Sequence, residues 1–360
     1  RPQQYVVEVS DAQDVTLEHL TLTGGQEGLR ASNADGLHVV GSTAVHNDSV
    51  GFNLTSGRDV TFEGNEAFGT SGNDDRDQET NFDLDGENLV VTRNFAHRVG
   101  NAEGFGFHIN TTGTLEVSQN ISNNSNDGFE ITAPRGQVFG NTAENNDVYG
   151  FQLDDTDSAS RMEVFDNTAN NNGTGFFADD YVWLYANRAY DNTIGIDSDA
   201  HSTIIGPDVA GGGSLDDANR VWLNDTGIEV RDGVVRFNRV FGNTNRGIDL
   251  HSYADVVEGN VVYGNSHGIW VSPFHNSTTE IVSNLVYDNA NSGITVHSGA
   301  GDNKRVINNT VWHDTGVGIR ITADPGYRAF NNIVVIGGGV GFEVDGNLSD
   351  YEADRNLVHL

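Results

Sequence analysis

The stretch Asn238-Arg239-Val240-Phe241-Gly242-Asn243-Thr244-Asn245-Arg246-Gly247-Ile248-Asp249-Leu250-His251 holds the two landmarks from which the fold is read. The first is a glycine followed by a large apolar residue, Gly247-Ile248. Alternation from that point puts Ile248 and Leu250 on one face and Asp249 and His251 on the other, which is the period of a strand. The second is Asn238, upstream of the glycine. Asparagine suits a turn because it tolerates the left-handed backbone region, and its side-chain amide can bond the backbone of a neighbouring coil.

Both landmarks recur outward from this unit. The Gly-apolar pair runs from Gly28-Leu29 and Gly51-Phe52 through Gly128-Phe129, Gly150-Phe151 and Gly195-Ile196 to Gly341-Phe342, with Asn81-Phe82 standing in once. The steps lie close to 23 residues, except Gly51 to Asn81 (81 − 51 = 30) and Gly195 to Gly227 (227 − 195 = 32). Asparagine precedes most of the pairs, as at Asn120, Asn141, Asn167, Asn187, Asn260, Asn284, Asn309 and Asn332. No window sustains a helical period. The leucine-rich repeat frame is absent, and a propeller blade needs about 40 residues. What remains is an all-β chain: a single right-handed parallel β-helix over residues 1–360, a solenoid of about 14 coils that stack about 4.8 Å apart. Neither end reads as a cap. Tyr5-Val6-Val7-Glu8-Val9 is strand-like, and Asn356-Leu357-Val358-His359-Leu360 repeats the Asn landmark without its Gly-apolar partner. An open last coil leaves backbone groups unpaired, so the expectation is a segment of a larger protein.

Composition bounds the function. Asp+Glu number 52 against 19 Lys+Arg, a net charge of −33, and the sole lysine is Lys304. Such a surface repels DNA and RNA, so no nucleic-acid partner is expected. The plain reading of the charge is solubility or adaptation to salty water, and part of it is available for a cation. There is no cysteine, which excludes disulfide staples and thiol chemistry. No stretch approaches the roughly 18 apolar residues of a membrane span, so no insertion into a membrane is expected.

Outward residues of the Gly-apolar strands form columns along one face, rich in ionisable and aromatic groups in the middle of the chain. Three constellations stand out. Asp154-Asp155 and Asp179-Asp180 come from adjacent coils, where carboxylates about 5 Å apart could share a hard cation such as Ca2+. Asp197, Glu229 and Asp249 fall on three successive rungs, giving separations of about 5 and 9.5 Å, the spacings of glycosidase carboxylate pairs. Arg231, Asp249, His251, Tyr253, Trp270 and His275 gather on neighbouring coils. That set offers a proton carrier in His251 or Tyr253, a carboxylate-binding cation in Arg231, and a sugar-stacking plane in Trp270. For each constellation, solvated charge on a solenoid face is the bland alternative. Trp183 and Trp222 read as packing residues, and Pro207–Asn219 as a loop beside the third set.

The Asn…Gly-Phe/Ile repeat, for example Asn141-Thr142-Ala143 leading to Gly150-Phe151, resembles the pectate-lyase-like right-handed β-helix superfamily over nearly the whole chain. That resemblance implies fold more than function, because lyases, epimerases, hydrolases, tailspikes and non-catalytic surface coils share it. The Asn-Thr-Asp, Asp-Asp and Gly-His-Gly set of polygalacturonases is missing. Asp249-Leu250-His251-Ser252-Tyr253 is similar in residue types to the Tyr/His sites of alginate lyases and epimerases. The reading that follows is a secreted or cell-surface β-helix acting on or binding an extracellular polysaccharide, as a uronan lyase or C5-epimerase if it is an enzyme. Arg231 would then neutralise the substrate carboxylate, with Asp249 beside the proton carrier and Trp270, His275, Asp197 and Glu229 contacting substrate. A structural or adhesive stalk is the alternative, and a glycoside hydrolase the third.

Overall fold

A side chain has no room at the glycine of the repeat. A Cβ built on Gly227 would meet the Gly247 carbonyl oxygen at 2.5 Å and Val240 Cγ1 at 2.6 Å. The same holds at Gly128, where the Gly150 carbonyl oxygen would lie at 2.6 Å. Glycine therefore marks the point where successive coils approach most closely, and the large apolar residue after it turns inward. A computed structural model describes residues 3–69, 78–98, 104–199, 203–208, 214–272, 279–297, 304–323, 326–346 and 349–360, apart from the side chains of residues 3, 252–255 and 323.

The chain is an all-β parallel solenoid of about 14 turns. It divides into two compact units, Arg1–Val182 and Trp183–Leu360. Within unit 1, the first strand of a coil, Phe105–Thr111, pairs in parallel with Asp127–Ala133, which pairs with Tyr149–Asp155. The second strand, Leu115–Ser118, pairs with Gly136–Phe139, and the third, Ile121–Asn123, with Thr142–Glu144. Unit 2 repeats the plan: Thr226–Arg236 pairs with Arg246–Glu258, and Arg239–Phe241 with Val261–Tyr263. The register matches the columns read from sequence. Phe107, Phe129 and Phe151 are rung partners, as are Ile228, Ile248 and Ile269.

Each unit has its own core. In unit 1 the rings of Phe52, Phe82, Phe107, Phe129, Phe151 and Phe176 stack with centroids 4.6–5.0 Å apart and are fully buried. In unit 2 the same column is Ile196, Ile228, Ile248, Ile269, Ile294 and Ile319, also fully buried.

The asparagine column is a hydrogen-bonded ladder, with one correction to the sequence reading. The asparagines themselves do not take the left-handed conformation; the residue before each does. Gln119, Asp166, Ala186, Phe237 and Ser283 have φ near +56°. Asn120 Nδ2 donates to Asn141 Oδ1 at 3.0 Å and to the Val91 carbonyl at 2.8 Å, and the pattern repeats from Asn238 to Asn260 to Asn284. Buried asparagine satisfies backbone groups that the turn would otherwise orphan, and this offsets a left-handed turn in residues as unsuited to it as Phe237. A second ladder lies five residues on, through Asn192, Asn224, Asn243, Asn265 and Asn289 in unit 2. At its next rung stands His313, whose Nδ1 lies 2.8 Å from the Asn289 carbonyl. Trp222, read as a packing residue, packs on the outer face of its strand, where it stacks between Tyr190 and Phe241.

Candidate active site

Three of the acidic residues singled out in the sequence are rung partners in unit 2: Asp197 pairs with Glu229, and Glu229 with Asp249, which in turn faces Trp270. Uniform alternation would place His251 opposite Arg231. The pairing instead shifts between Val230–Leu250 and Asp232–Tyr253, so two residues of one strand face one of the other. Such a bulge re-aims the side chain beside it. His251 Nε2 lies 3.0 Å from Asp249 Oδ2 and 3.4 Å from Glu229 Oε1.

The electrostatics follow from burial. Asp249 is 2% exposed and Asp197 8%. Asp249 Oδ2 accepts from the Arg246 guanidinium, while Oδ1 of Asp249 and Oδ1 of Asp197 have no hydrogen-bond partner among the described residues. Burial, then the charge of Glu229, pushes the Asp197 carboxyl up to about 6. The hydrogen bond to Asp249, aided by the charges of Asp249 and Glu229, holds the His251 imidazole above its ordinary value against the opposing effect of burial. The group thus has two side chains, two rungs apart, that keep a proton at higher pH than usual, with the Glu229 carboxylate on the rung between them.

Arg231 acts on Asp197 and Glu229 through its charge but makes its ion pair with another acid. Its Nη1 sits 2.7 Å from Asp199 Oδ2. The cation in contact is Arg246, which alternation counted from the glycine passed over because it precedes Gly247. The signal was present as a further in-register column, Arg246, His267 and Ser292. The Arg246 guanidinium also lies over the Trp270 ring, 4.7 Å from its centroid. His267 and His297 flank the same indole at 4.9 and 4.4 Å. Burial first, then the charges of Arg246 and Arg320, holds both imidazoles below their ordinary value. The backbone of Tyr253 lies in the strand Arg246–Glu258, but its side chain is outside the described residues, and so is all of His275.

In unit 1 no three of the four aspartates bring ligand atoms within 4.8 Å of one another among the described residues. Asp154 faces outward, where burial, then the charge of Asp180, raises its carboxyl. Asp155 turns inward, 1% exposed, and its Oδ1 accepts from the Asp157 backbone N–H at 2.9 Å. Asp155 N–H donates to the Asp180 carbonyl at 3.2 Å, and Asp179 N–H to the Leu153 carbonyl at 2.8 Å. Among the described residues, the group whose ligand atoms all lie within 4.8 Å of one another is Glu229, Asp249 and His251.

Two family models match. One, described as right handed beta helix region, covers residues 1–136. The other, described as periplasmic copper-binding protein (NosD), covers residues 70–206 and 211–347. No curated protein matches the chain. Among solved structures, the Azotobacter vinelandii mannuronan C-5 epimerase AlgE6 A-module is 14% identical, with 98% of this chain and 91% of that chain covered and a TM-score of 0.39. The T265N mutant of the periplasmic alginate epimerase AlgG is 13% identical, with 92% and 76% covered and a TM-score of 0.46. The Dettilon tailspike protein is 15% identical, with 95% and 60% covered and a TM-score of 0.36.

The description of the second family makes copper a question for the donors themselves. There is no cysteine, and the one methionine, Met162, is buried in unit 1, so the soft ligands that suit Cu(I) are missing from the group. One imidazole and two carboxylates suit a borderline divalent ion such as Cu(II) or Zn(II). Calcium needs six to eight oxygens and has no use for the imidazole.

Proposed function

Because the chain belongs to the family described as periplasmic copper-binding protein (NosD), within the pectate-lyase-like right-handed β-helices, we propose that it works outside the cytosol, as a secreted or cell-surface protein acting on an extracellular polysaccharide through Asp197, Glu229, Asp249 and His251. The observation that carries this reading is His251 Nε2 held 3.0 and 3.4 Å from two carboxylates, beside an indole covered by an arginine. On a uronan, a base removes the C5 proton while a cation stabilises the charge that develops on the carboxylate. A lyase then breaks the C4–O bond and protonates the departing oxygen; an epimerase returns a proton to C5 from the opposite side. His251 is suited to donate the proton, Glu229 to accept one, and Arg246 or Arg231 to meet the substrate carboxylate. Tyr253 is the further proton carrier on the same strand.

A second reading, glycoside hydrolysis, draws on one observation. Asp197 keeps its proton to about pH 6 and sits one rung, about 5 Å, from Glu229, the arrangement of a general acid beside a carboxylate. A bound divalent ion is compatible with either reading: Glu229, Asp249 and His251 would hold it, and it would polarise a substrate oxygen.

One set of assays separates these. Incubation with pectate, alginate and neutral glycans should yield ultraviolet absorbance from a new C4–C5 double bond for a lyase, deuterium at C5 from heavy water for an epimerase, or new reducing ends alone for a hydrolase. His251→Asn should lower turnover by about a hundredfold or more, in line with the loss of a general acid or base, and Trp270→Ala should chiefly raise KM. Melting with and without Cu2+ or Zn2+ reports the ion, which stabilises the fold if it binds only the native state and should lose that effect in Asp249→Asn. Absence of turnover on every substrate sinks the enzyme reading; retained binding then indicates an adhesive module, and no binding a stalk.

A further inference from the structure

The third-strand face of unit 2 carries a feature that the His251 group does not use. Arg188, Arg220 and Arg239 are rung partners on successive coils, and all three are exposed. Elsewhere in this acidic chain arginines sit against carboxylates, as Arg58 does with Glu87, Arg305 with Glu280 and Arg320 with Glu343. None of the three has a carboxylate within ion-pairing distance among the described residues. Like charges directly opposite on neighbouring strands destabilise each other, so the column carries a cost that no described side chain offsets. Two residues along the same strands runs an outward aromatic ladder, Tyr190, Trp222, Phe241, Tyr263 and Tyr287, with centroids 4.6–5.8 Å apart and nearly parallel planes. Its ring faces are taken up by stacking, which leaves edges and tyrosine hydroxyls toward solvent. The ladder is thus a rigid wall beside the arginines. On the other side, Arg220 and Arg239 line a cleft of about 520 Å³ with Phe237, Val261, Leu215 and one acid, Asp216.

We propose that the Arg188–Arg220–Arg239 column binds a linear anionic polysaccharide, a chain that carries a carboxylate or sulfate on successive sugars. Three guanidiniums at rung spacing, about 5 Å apart, present a row of two-pronged donors to anionic groups repeating at a similar interval. The short row also decides against nucleic acid. Duplex DNA carries one charge per roughly 1.7 Å of axis, about three for each guanidinium of a row spaced about 5 Å apart, so its charge spacing does not match the column. This site lies on a different strand of each coil from the His251 group and does not depend on that group's chemistry.

Titration of the whole chain with sodium polygalacturonate, dextran sulfate and neutral dextran tests the proposal. Binding is expected to one or both polyanions and not to dextran, and to weaken with salt. The triple variant Arg188→Gln/Arg220→Gln/Arg239→Gln should lose about tenfold or more in affinity. Its melting temperature should hold or rise, because three like charges are removed. If that variant melts early, Arg220→Gln alone, at the centre of the column, should weaken binding about threefold or more. The control Arg58→Gln, an exposed arginine of unit 1 paired with Glu87, should leave the affinity unchanged, and the titration reads binding rather than turnover, so failure of the polysaccharide-processing reading would not register here. No binding to either polyanion, unchanged affinity in the variants, or equal binding of single-stranded DNA overturns the proposal.

Discussion

Two buried carboxyls show how one side chain couples to its surroundings. Asp197 and Asp155 are both raised to about 6, each chiefly by burial, yet they do different things. Asp197 faces a carboxylate and a histidine, whereas Asp155 holds a turn through the Asp157 N–H. A carboxyl whose pKa is higher in the folded state binds its proton more tightly there than in the unfolded chain. The stabilisation from Asp155 is therefore present at acid pH and is lost as pH rises from about 4 through about 6. Asp155→Asn keeps an oxygen for the Asp157 N–H and removes the buried charge. It should raise stability at pH 7 by about 1–2 kcal/mol and have little effect at pH 4, measured by thermal melts at the two values. An equal effect at both would show that burial of the charge is not the cause. At this scale the sequence revealed which residues face outward. It did not reveal the bulge beside His251, because strand period says nothing about where a register slips.

At the scale of the element, the stacks and ladders carry the fold. Phe129 lies between Phe107 and Phe151 at 4.7 and 4.8 Å, with nowhere for the neighbouring rings to relax. Phe129→Ala should cost about 3–5 kcal/mol, read as a lower denaturant midpoint, and Phe129→Leu considerably less. A cost near zero would mean that unit 1 can collapse around the hole. The same five-residue spacing that links Asn219 to Asn224 and Asn238 to Asn243 was visible as a pattern, yet its meaning as a second hydrogen-bonded ladder came from the stacking of coils. Trp222 makes the converse point. An indole in a long coil suggests packing, but whether its ring is covered depends on the aromatic at the same position one coil away, and here Tyr190 and Phe241 both supply one.

Across the whole molecule, charge sets the response to solvent. A net −33 repels itself in the folded state more than in the expanded chain, and salt screens that repulsion over a Debye length of about 10 Å at 0.1 M. Stability should therefore rise from low to moderate salt, by several degrees in melting temperature; a flat response would mean that bound cations already compensate the charge. The sequence by itself determined the coil, its period, its inward column and its outward columns. Each of these is a one-dimensional repeat, and stacking identical repeats turns sequence spacing directly into register. It also placed Asp197, Glu229, Asp249 and Trp270 on successive rungs for the same reason. The tertiary structure alone decided which neighbours a polar side chain chooses: that Arg231 pairs with Asp199 while Arg246 joins Asp249 and Trp270, that no three of the four aspartates of unit 1 gather among the described residues, and that Arg188, Arg220 and Arg239 make no ion pair among the described residues. Those choices rest on distances of a few ångströms, many of them between residues on different coils, set by bulges, rotamers and burial, which a repeat period does not encode.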